Sequence, residues 1–281
     1  MVSKTYLCSF ASPDLLLSKI RFYHQSKKLK FYRKIKVYSK DELSLKTKLI
    51  IKKFCKDNDR TGYGYWIWKP EIILNFMNQI PNNGILHYCD IGCCFFNGKK
   101  NINKLYQYQK IADKKGFLGF EFKKPKFANL NLTYPTVYEY EHTKHDLAKH
   151  LNIKLNSKEM NSPQICATNF FIKKNNKNII FLKDWLNTCN NINLIDNSKS
   201  ILENHKNFKA HRNDQSAFSL LCKIYKMVTI SVYDDFENAY KNDKIYWKHL
   251  KYSPIQHRRN LKFISLYKLN KKLLKLLSKK E

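Results

Sequence analysis

Residues 4 to 10, "KTYLCSF", alternate apolar and polar side chains and stop at Ala11-Ser12-Pro13-Asp14, the pattern of a strand closed by a turn. "LLLSKIRFYHQ" behind it carries its apolar residues at helical intervals, and "KIKVYS", residues 34 to 39, alternates again. The chain thus opens β-α-β. A basic helix is expected over residues 43 to 56, and another in "PEIILNFMNQI", with Pro70 in its first turn and Glu71 beside its positive end. "NNG" breaks the chain, and "ILHYCD" follows as a short apolar strand whose last residue is Asp90. Strands and helices alternate to this point, which predicts an α/β fold with a mainly parallel mixed sheet flanked by helices.

Residues 97 to 160 are less regular, with a helix expected at 101 to 114, a strand at "GFLGFEF" (116 to 122) and a polar stretch holding "EHTKHDLAKHL". Order returns with a strand in "PQICATNFFIKK", a helix in "NKNIIFLKDWLNTC", a loop running into a helix in "HRNDQSAFSLLCKIYK" and a strand in "MVTISVYDD". No internal repeat and no long linker divides the chain, so residues 1 to 257 read as one domain. Residues 258 to 281 read as a tail, where nine Lys/Arg accompany Phe263, Leu266, Tyr267, Leu273, Leu274 and Leu277 at helical intervals. A basic amphipathic helix of this kind suits either an anionic membrane surface or the protein's own core.

The 281 residues are 43% hydrophobic and 14% aromatic, enough for a sizeable core. The 53 Lys+Arg against 22 Asp+Glu give a net charge of +31, which favours anionic partners: nucleic acid, phosphorylated ligands or an acidic membrane face. The chain is also rich in Lys, Asn and Ile together, so much of that excess can be solvated surface. The 8 cysteines sit mostly in apolar runs without the spacing of a secreted disulfide scaffold and read as reduced, buried thiols. "HYCDIGCC" lacks a second ligand pair at finger-like spacing, and a strand with a tight turn explains it better than zinc. With no apolar leader and no run of eighteen apolar residues, the expectation is a cytoplasmic protein, or one peripheral on the inner membrane face.

Three places could carry chemistry. In open α/β sheets ligands sit outside the carboxyl ends of the strands, where Asp90 falls, and Gly92 beside it lets a ligand come close. In "HRNDQS", Asn213 or Asp214 can cap a helix beginning near Gln215, while His211, Arg212, Asp214 and Gln215 together can hydrogen-bond a polyhydroxylated ligand. Asp214 there could orient or deprotonate a hydroxyl, and Arg212 and Lys69 suit a diphosphate. The third place is "RTGYGYWIWKP", residues 60 to 70. Extended spacing would throw Trp66 and Trp68 to one side and Tyr63 and Tyr65 to the other, with Gly62 and Gly64 allowing a tight bend. Flat aromatics stack on sugar C–H faces, so one tryptophan is expected in the core and the other at a ligand.

Taken in order, "RTGYGYWIWKPEIIL", "GILHYCDIGCCFFNGKK", "TKHDL", "SPQICATNFFIKKN", "FLKDWL" and "HRNDQSAFSLL" resemble bacterial and viral glycosyltransferases of the GT-A nucleotide-sugar type, the kind found in capsule and lipopolysaccharide synthesis. The resemblance spans most of the chain. It implies a single GT-A-like, Rossmann-related domain, a donor nucleotide at the first strand end (Ser9, Phe10), phosphates and donor sugar near Trp68, Lys69 and Asp90, and an acceptor near Asp214 and Gln215. Tyr65, Trp66, Gly92, Gln164, His211 and Arg212 complete the implied donor- and substrate-binding set, with Asp90 and Asp214 as the catalytic pair. GT-A enzymes commonly hold Mn²⁺ or Mg²⁺ with Asp-x-Asp. Here Gly92 stands in place of the second acid, which puts the ion in doubt: either His257 joins Asp90 as a second ligand, or Lys69 and other cations take the place of the metal. The implied partners are a nucleotide sugar and a saccharide or lipid-linked acceptor. Two other readings remain at this stage: a basic nucleic-acid binder, for which no recognition module is present, and a noncatalytic membrane-associated assembly protein.

Overall fold

The computed structural model describes residues 3–54, 61–125, 135–234, 240–241, 244–245 and 252–257. In chain order the described elements are β1 (Thr5–Phe10), α1 (Leu16–Lys28), β2 (Lys34–Tyr38), α2 (Leu45–Phe54), α3 (Gly62–Tyr65), α4 (Trp68–Gln79), β3 (Ile85–Cys89), β4 (Cys94–Phe95) and α5 (Lys99–Lys115). They continue with β5 (Phe117–Glu121), α6 (Glu139–His142), α7 (His145–His150), β6 (Ile165–Lys173), α8 (Asn176–Asn190), α9 (Asn213–Ile224) and β7 (Thr229–Ser231). The short strands β8 (Tyr240–Lys241), β9 (Lys244–Ile245) and β10 (Ile255–Gln256) follow. The tail expected to form a basic helix, residues 258 to 281, lies outside the described residues.

Six strands form one sheet in the order β2-β1-β3-β6-β5-β7. β1 pairs parallel with β2 and β3, and β5 pairs parallel with β7, while β6 runs antiparallel between β3 and β5. The sheet is therefore mixed and mostly parallel, as the alternation of elements predicts. Reversal of β6 places its amino end beside the carboxyl ends of its neighbours, with Cys89 opposite Asn169. That edge carries the candidate site.

Each face of the sheet has its own core. β1 is buried throughout, and its alternation sends Tyr6, Cys8 and Phe10 into one core with α4, α8 and α9, and Leu7 into the other with α1 and α5. Local signals set the helix ends. The Asn175 side chain accepts from Asn178 N at the start of α8, and α5 stops at Gly116, whose φ of 83° is the left-handed cap glycine tolerates best. Seven cysteines (Cys8, Cys89, Cys93, Cys94, Cys166, Cys189 and Cys222) are buried and make no disulfide; Cys55 lies outside the described residues.

Candidate functional site

Asp90 leaves the end of β3 in a tight turn. Its N–H donates to Thr168 O (2.8 Å), and Cys93 N closes the turn on Asp90 O (2.9 Å). Arg21 on α1 clamps the same turn, donating through Nη2 to Ile91 O (2.7 Å) and through Nη1 to Cys93 O (2.8 Å). The Tyr88 hydroxyl donates to Asp90 Oδ1 (2.6 Å), so the carboxylate is aimed from two directions. A Cβ built on Gly92 would meet nothing within 4 Å, so space is open beside the acid.

Lys69 and Asp214 arrive from far apart in the sequence. Lys69 lies in the first turn of α4 and Asp214 in the first turn of α9. Lys69 Nζ pairs with Asp214 Oδ2 at 2.9 Å and with Asp90 Oδ1 at 3.6 Å, and it reaches Ala167 O at 3.4 Å. One ammonium thus joins two carboxylates. The side chain of Asp90 is 22% exposed and that of Asp214 only 4%, so Asp90 is the member that meets solvent.

Burial pushes the Asp214 carboxyl up to about 6, with the Asp90 charge adding to it and Lys69 opposing it. Lys69 moves in the other sense. Burial would lower it, but the two carboxylates together outweigh burial and raise it. The asymmetry follows from the stoichiometry: the lysine has two acids, whereas each acid shares one cation.

The segment at residues 61 to 68 departs from the extended form expected of it. Gly62, Tyr63, Gly64, Tyr65 and Trp66 all have positive φ, between 53° and 87°, and form a left-handed turn in which Tyr65 N donates to Thr61 O (2.8 Å) and Trp66 N to Gly62 O (3.3 Å). Three non-glycine residues in that region cost about 1–2 kcal/mol each. Gly62 is needed for a second reason, because a Cβ there would sit 2.2 Å from the Trp66 ring. The helix behind begins at Trp68, two residues before Pro70. Glu71 sits in its first turn as expected but serves a neighbour, accepting from Ser44 N (2.6 Å) at the start of α2. The two tryptophans differ in exposure. Trp68 is buried, stacks on Phe10 at 3.9 Å and donates its indole N–H to Gly62 O; Trp66 is half-buried, with Lys69 Nζ 5.9 Å from its ring centre.

The remaining candidates divide by access. Ser9 and Phe10 are buried in β1, and Tyr65 is buried behind the turn. His211 is half-buried: its Nε2–H donates to Leu194 O (2.9 Å), its Nδ1 accepts from Lys144 N (3.3 Å), and burial pushes it down to about 3, so it stays neutral. Gln164 is buried too, donating to Glu139 and Ser216 and accepting from Gln215 (2.8 Å) and Arg212 (3.3 Å). Gln215 and Arg212 are half-exposed beyond it, with the Arg212 guanidinium 5.3 Å from the Phe122 ring centre. Neither Asn213 nor Asp214 caps α9, which begins at Asn213 itself; the Asn213 amide donates instead to Ile195 O (2.6 Å) and Asn197 Oδ1 (3.0 Å).

The pairing of β10 with β4 brings residues 255 to 257 back beside the Asp90 turn, with Gln256 opposite Cys94 and His257 next in line. Among the described residues no three His, Cys, Asp or Glu side chains gather as a metal-ligand set, and Lys69 Nζ lies 3.6 Å from Asp90 Oδ1. Sequence reasoning missed Arg21, Tyr88 and Glu139. Arg21 and Tyr88 gave no local signal, because their partners are defined by the turn they hold. Glu139 is buried in α6 and accepts from Thr143 (2.8 Å), Gln164 (3.2 Å), Ser219 and Lys223 (2.8 Å).

No family model and no curated protein matches the sequence. Among solved structures the chain is similar to mouse xyloside xylosyltransferase 1 at 10% identity, covering 92% of this chain and 98% of that one with a TM-score of 0.43. It is similar also to a glycosyltransferase involved in glycosylation of the PBCV-1 major capsid, at 13% identity, 90% and 93% coverage and a TM-score of 0.42. A third is the bifunctional glycosyltransferase WbbM, at 11% identity and a TM-score of 0.48, where 92% of this chain covers 46% of that one. At that level the similarity assigns no residue a role.

Proposed function

We propose that the chain is a glycosyltransferase that moves a sugar from a nucleotide-diphosphate donor to a hydroxyl of a saccharide or lipid-linked acceptor. The observation that carries the reading is the Asp90–Lys69–Asp214 assembly: two acids from opposite halves of the chain, joined by one lysine at the carboxyl edge of the sheet. In that position an open α/β sheet receives its ligands. Asp90 is the group that meets substrate. Its contacts with Tyr88 and Lys69 fall on Oδ1 and do not saturate a carboxylate, which keeps capacity to accept a hydrogen bond from a sugar hydroxyl. Lys69 holds Asp90 in place, and Asp214 sits behind as the buried counter-charge that anchors the lysine. The open space at Gly92 gives the ligand room, and the half-buried Trp66 offers a flat apolar face beside it. Gln215 and Arg212, half-exposed at the start of α9, line the approach for an acceptor or a phosphate.

Thermal shift against UDP-, GDP-, CMP- and dTDP-sugars, with and without Mn²⁺, tests the reading, since a ligand that binds only the folded state raises the melting temperature. At least one nucleotide sugar is expected to raise it, and the rise is expected to be lost in Asp90→Asn. A flat response to every donor in both conditions contradicts the proposal.

A further inference from the structure

Helices α1 and α2 face solvent with their apolar side chains. On α2, Leu45 is 73% and Leu49 56% exposed, one turn apart, while the opposite side of the helix buries Thr47 and Ile51. On α1, Leu16, Leu17, Ile20 and Tyr23 are exposed along one side. These six are more than half of the eleven exposed large hydrophobic residues among those described. Both helices follow the carboxyl ends of neighbouring parallel strands, β1 and β2, which are tied there by Ala11 N donating to Tyr38 O (3.0 Å). α1 packs Phe22 into the core on one face of the sheet and α2 packs Ile51 into the core on the other, so the α2 stripe is a surface of its own, at the sheet edge that carries Asp90.

Charge decides what covers it. The ten residues of α2 hold four lysines, Lys46, Lys48, Lys52 and Lys53, and no acid; all four are exposed, as is Lys40 before the helix. A second copy of this chain would set lysines against lysines across a two-fold contact. The chain's own tail, with nine Lys/Arg between residues 258 and 280, meets the same repulsion. Nucleic acid would satisfy the lysines and leave the leucines wet. An anionic bilayer satisfies both: exposed leucines enter the acyl boundary while lysines beside them meet headgroup phosphates.

We infer that the α2 corner is a membrane-docking surface, seated on anionic lipid through Leu45 and Leu49 and the lysines around them. Seated so, the carboxyl edge of the sheet lies at the membrane side of the protein. The docking does not depend on the sugar-transfer reading. Either can fail alone, because nucleotide-sugar thermal shift reads one and vesicle binding the other.

Flotation of the full chain with phosphatidylcholine vesicles, with and without about 30% phosphatidylglycerol, tests the inference. Wild type is expected to float with the anionic vesicles, and Leu45→Glu/Leu49→Glu to lower that partition at least about tenfold, since the substitution removes the inserted apolar groups and adds like charge to the lipid. Lys46→Ala/Lys53→Ala is expected to lower it less and to remove part of its salt sensitivity. Both positions of each pair are exposed, so unchanged melting temperatures confirm that folding is intact. Unchanged flotation of Leu45→Glu/Leu49→Glu overturns the inference. So does a wild type that stays unbound, or a dimer in lipid-free solution that the leucine pair dissolves, which assigns the corner to a second copy.

Discussion

Two buried carboxylate–lysine centres lie along α9, Asp214 in its first turn and the Glu139–Lys223 pair towards its last, and they are built on opposite plans. Glu139 collects four donors, from Thr143, Gln164, Ser219 and Lys223, and is sealed from solvent. Every lone pair it has is spoken for, so it locks α6, β6 and α9 together and has nothing left to offer a ligand. Asp214 shares its one cation with a second acid, carries a carboxyl pushed up to about 6, and connects through Lys69 to the solvent-facing Asp90. A fully satisfied buried charge holds structure; an under-satisfied one at a ligand-facing edge is held in readiness for chemistry.

The largest effect is expected where that contrast is sharpest. Glu139→Ala strands Lys223 and three neutral donors, and should cost about 3–5 kcal/mol in denaturant unfolding while activity per folded molecule stays near wild type. Loss of activity with stability intact would erase the distinction between the centres. Lys69→Met comes next. Asp90 can rehydrate and Asp214 can take up a proton, so the stability loss should be about 1–3 kcal/mol, yet nucleotide-sugar thermal shift should disappear. A variant that keeps full donor binding would show that the lysine serves packing alone.

Gly62→Ala probes the left-handed turn just ahead of Lys69. The left-handed backbone and the Trp66 ring 2.2 Å from the new methyl both oppose it, for a loss of about 1–2 kcal/mol or more and weakened donor binding. A melting temperature equal to wild type would contradict the left-handed turn. The smallest effect concerns pH. An unfolded aspartate titrates near ~3.9. The folded carboxyl of Asp214 is held up to about 6, so between those values the folded chain keeps a proton that the unfolded chain releases. Its contribution to stability is therefore present at low pH, falls as pH rises through that window and levels off above about 6. Denaturant midpoints from pH 4 to 7 should show this component in wild type and lose it in Asp214→Asn; an identical slope in both would place the titration elsewhere.

Most of the strand and helix pattern was legible, because period and punctuation are local. β1, β3, β6, α4 and α8 fall where alternation, helical spacing and the "NNG" break put them. The reversal of β6 was not legible, since a buried apolar strand reads the same in either direction. The turn at residues 61 to 68 was misread for a physical reason: glycines signal freedom from steric limits, not which of several bends is adopted, and Tyr63, Tyr65 and Trp66 hold a conformation their own preferences oppose. At the site, Asp90, Lys69 and Asp214 were each visible as strand-end or helix-start residues. Their meeting through one ammonium depends on tertiary packing, as does the burial of Ser9, Phe10 and Gln164.

The central claim is that Asp90, held by Lys69 and Tyr88, is the acid that acts on a sugar nucleotide. The most direct measurement is release of free nucleotide from a panel of UDP-, GDP-, CMP- and dTDP-sugars by wild type and Asp90→Asn at matched folded concentration. The account predicts turnover of at least one donor by wild type and a loss of about a hundredfold or more in the variant, with its melting temperature little changed. A variant that turns over at the wild-type rate, or a wild type inert towards every donor, would contradict it.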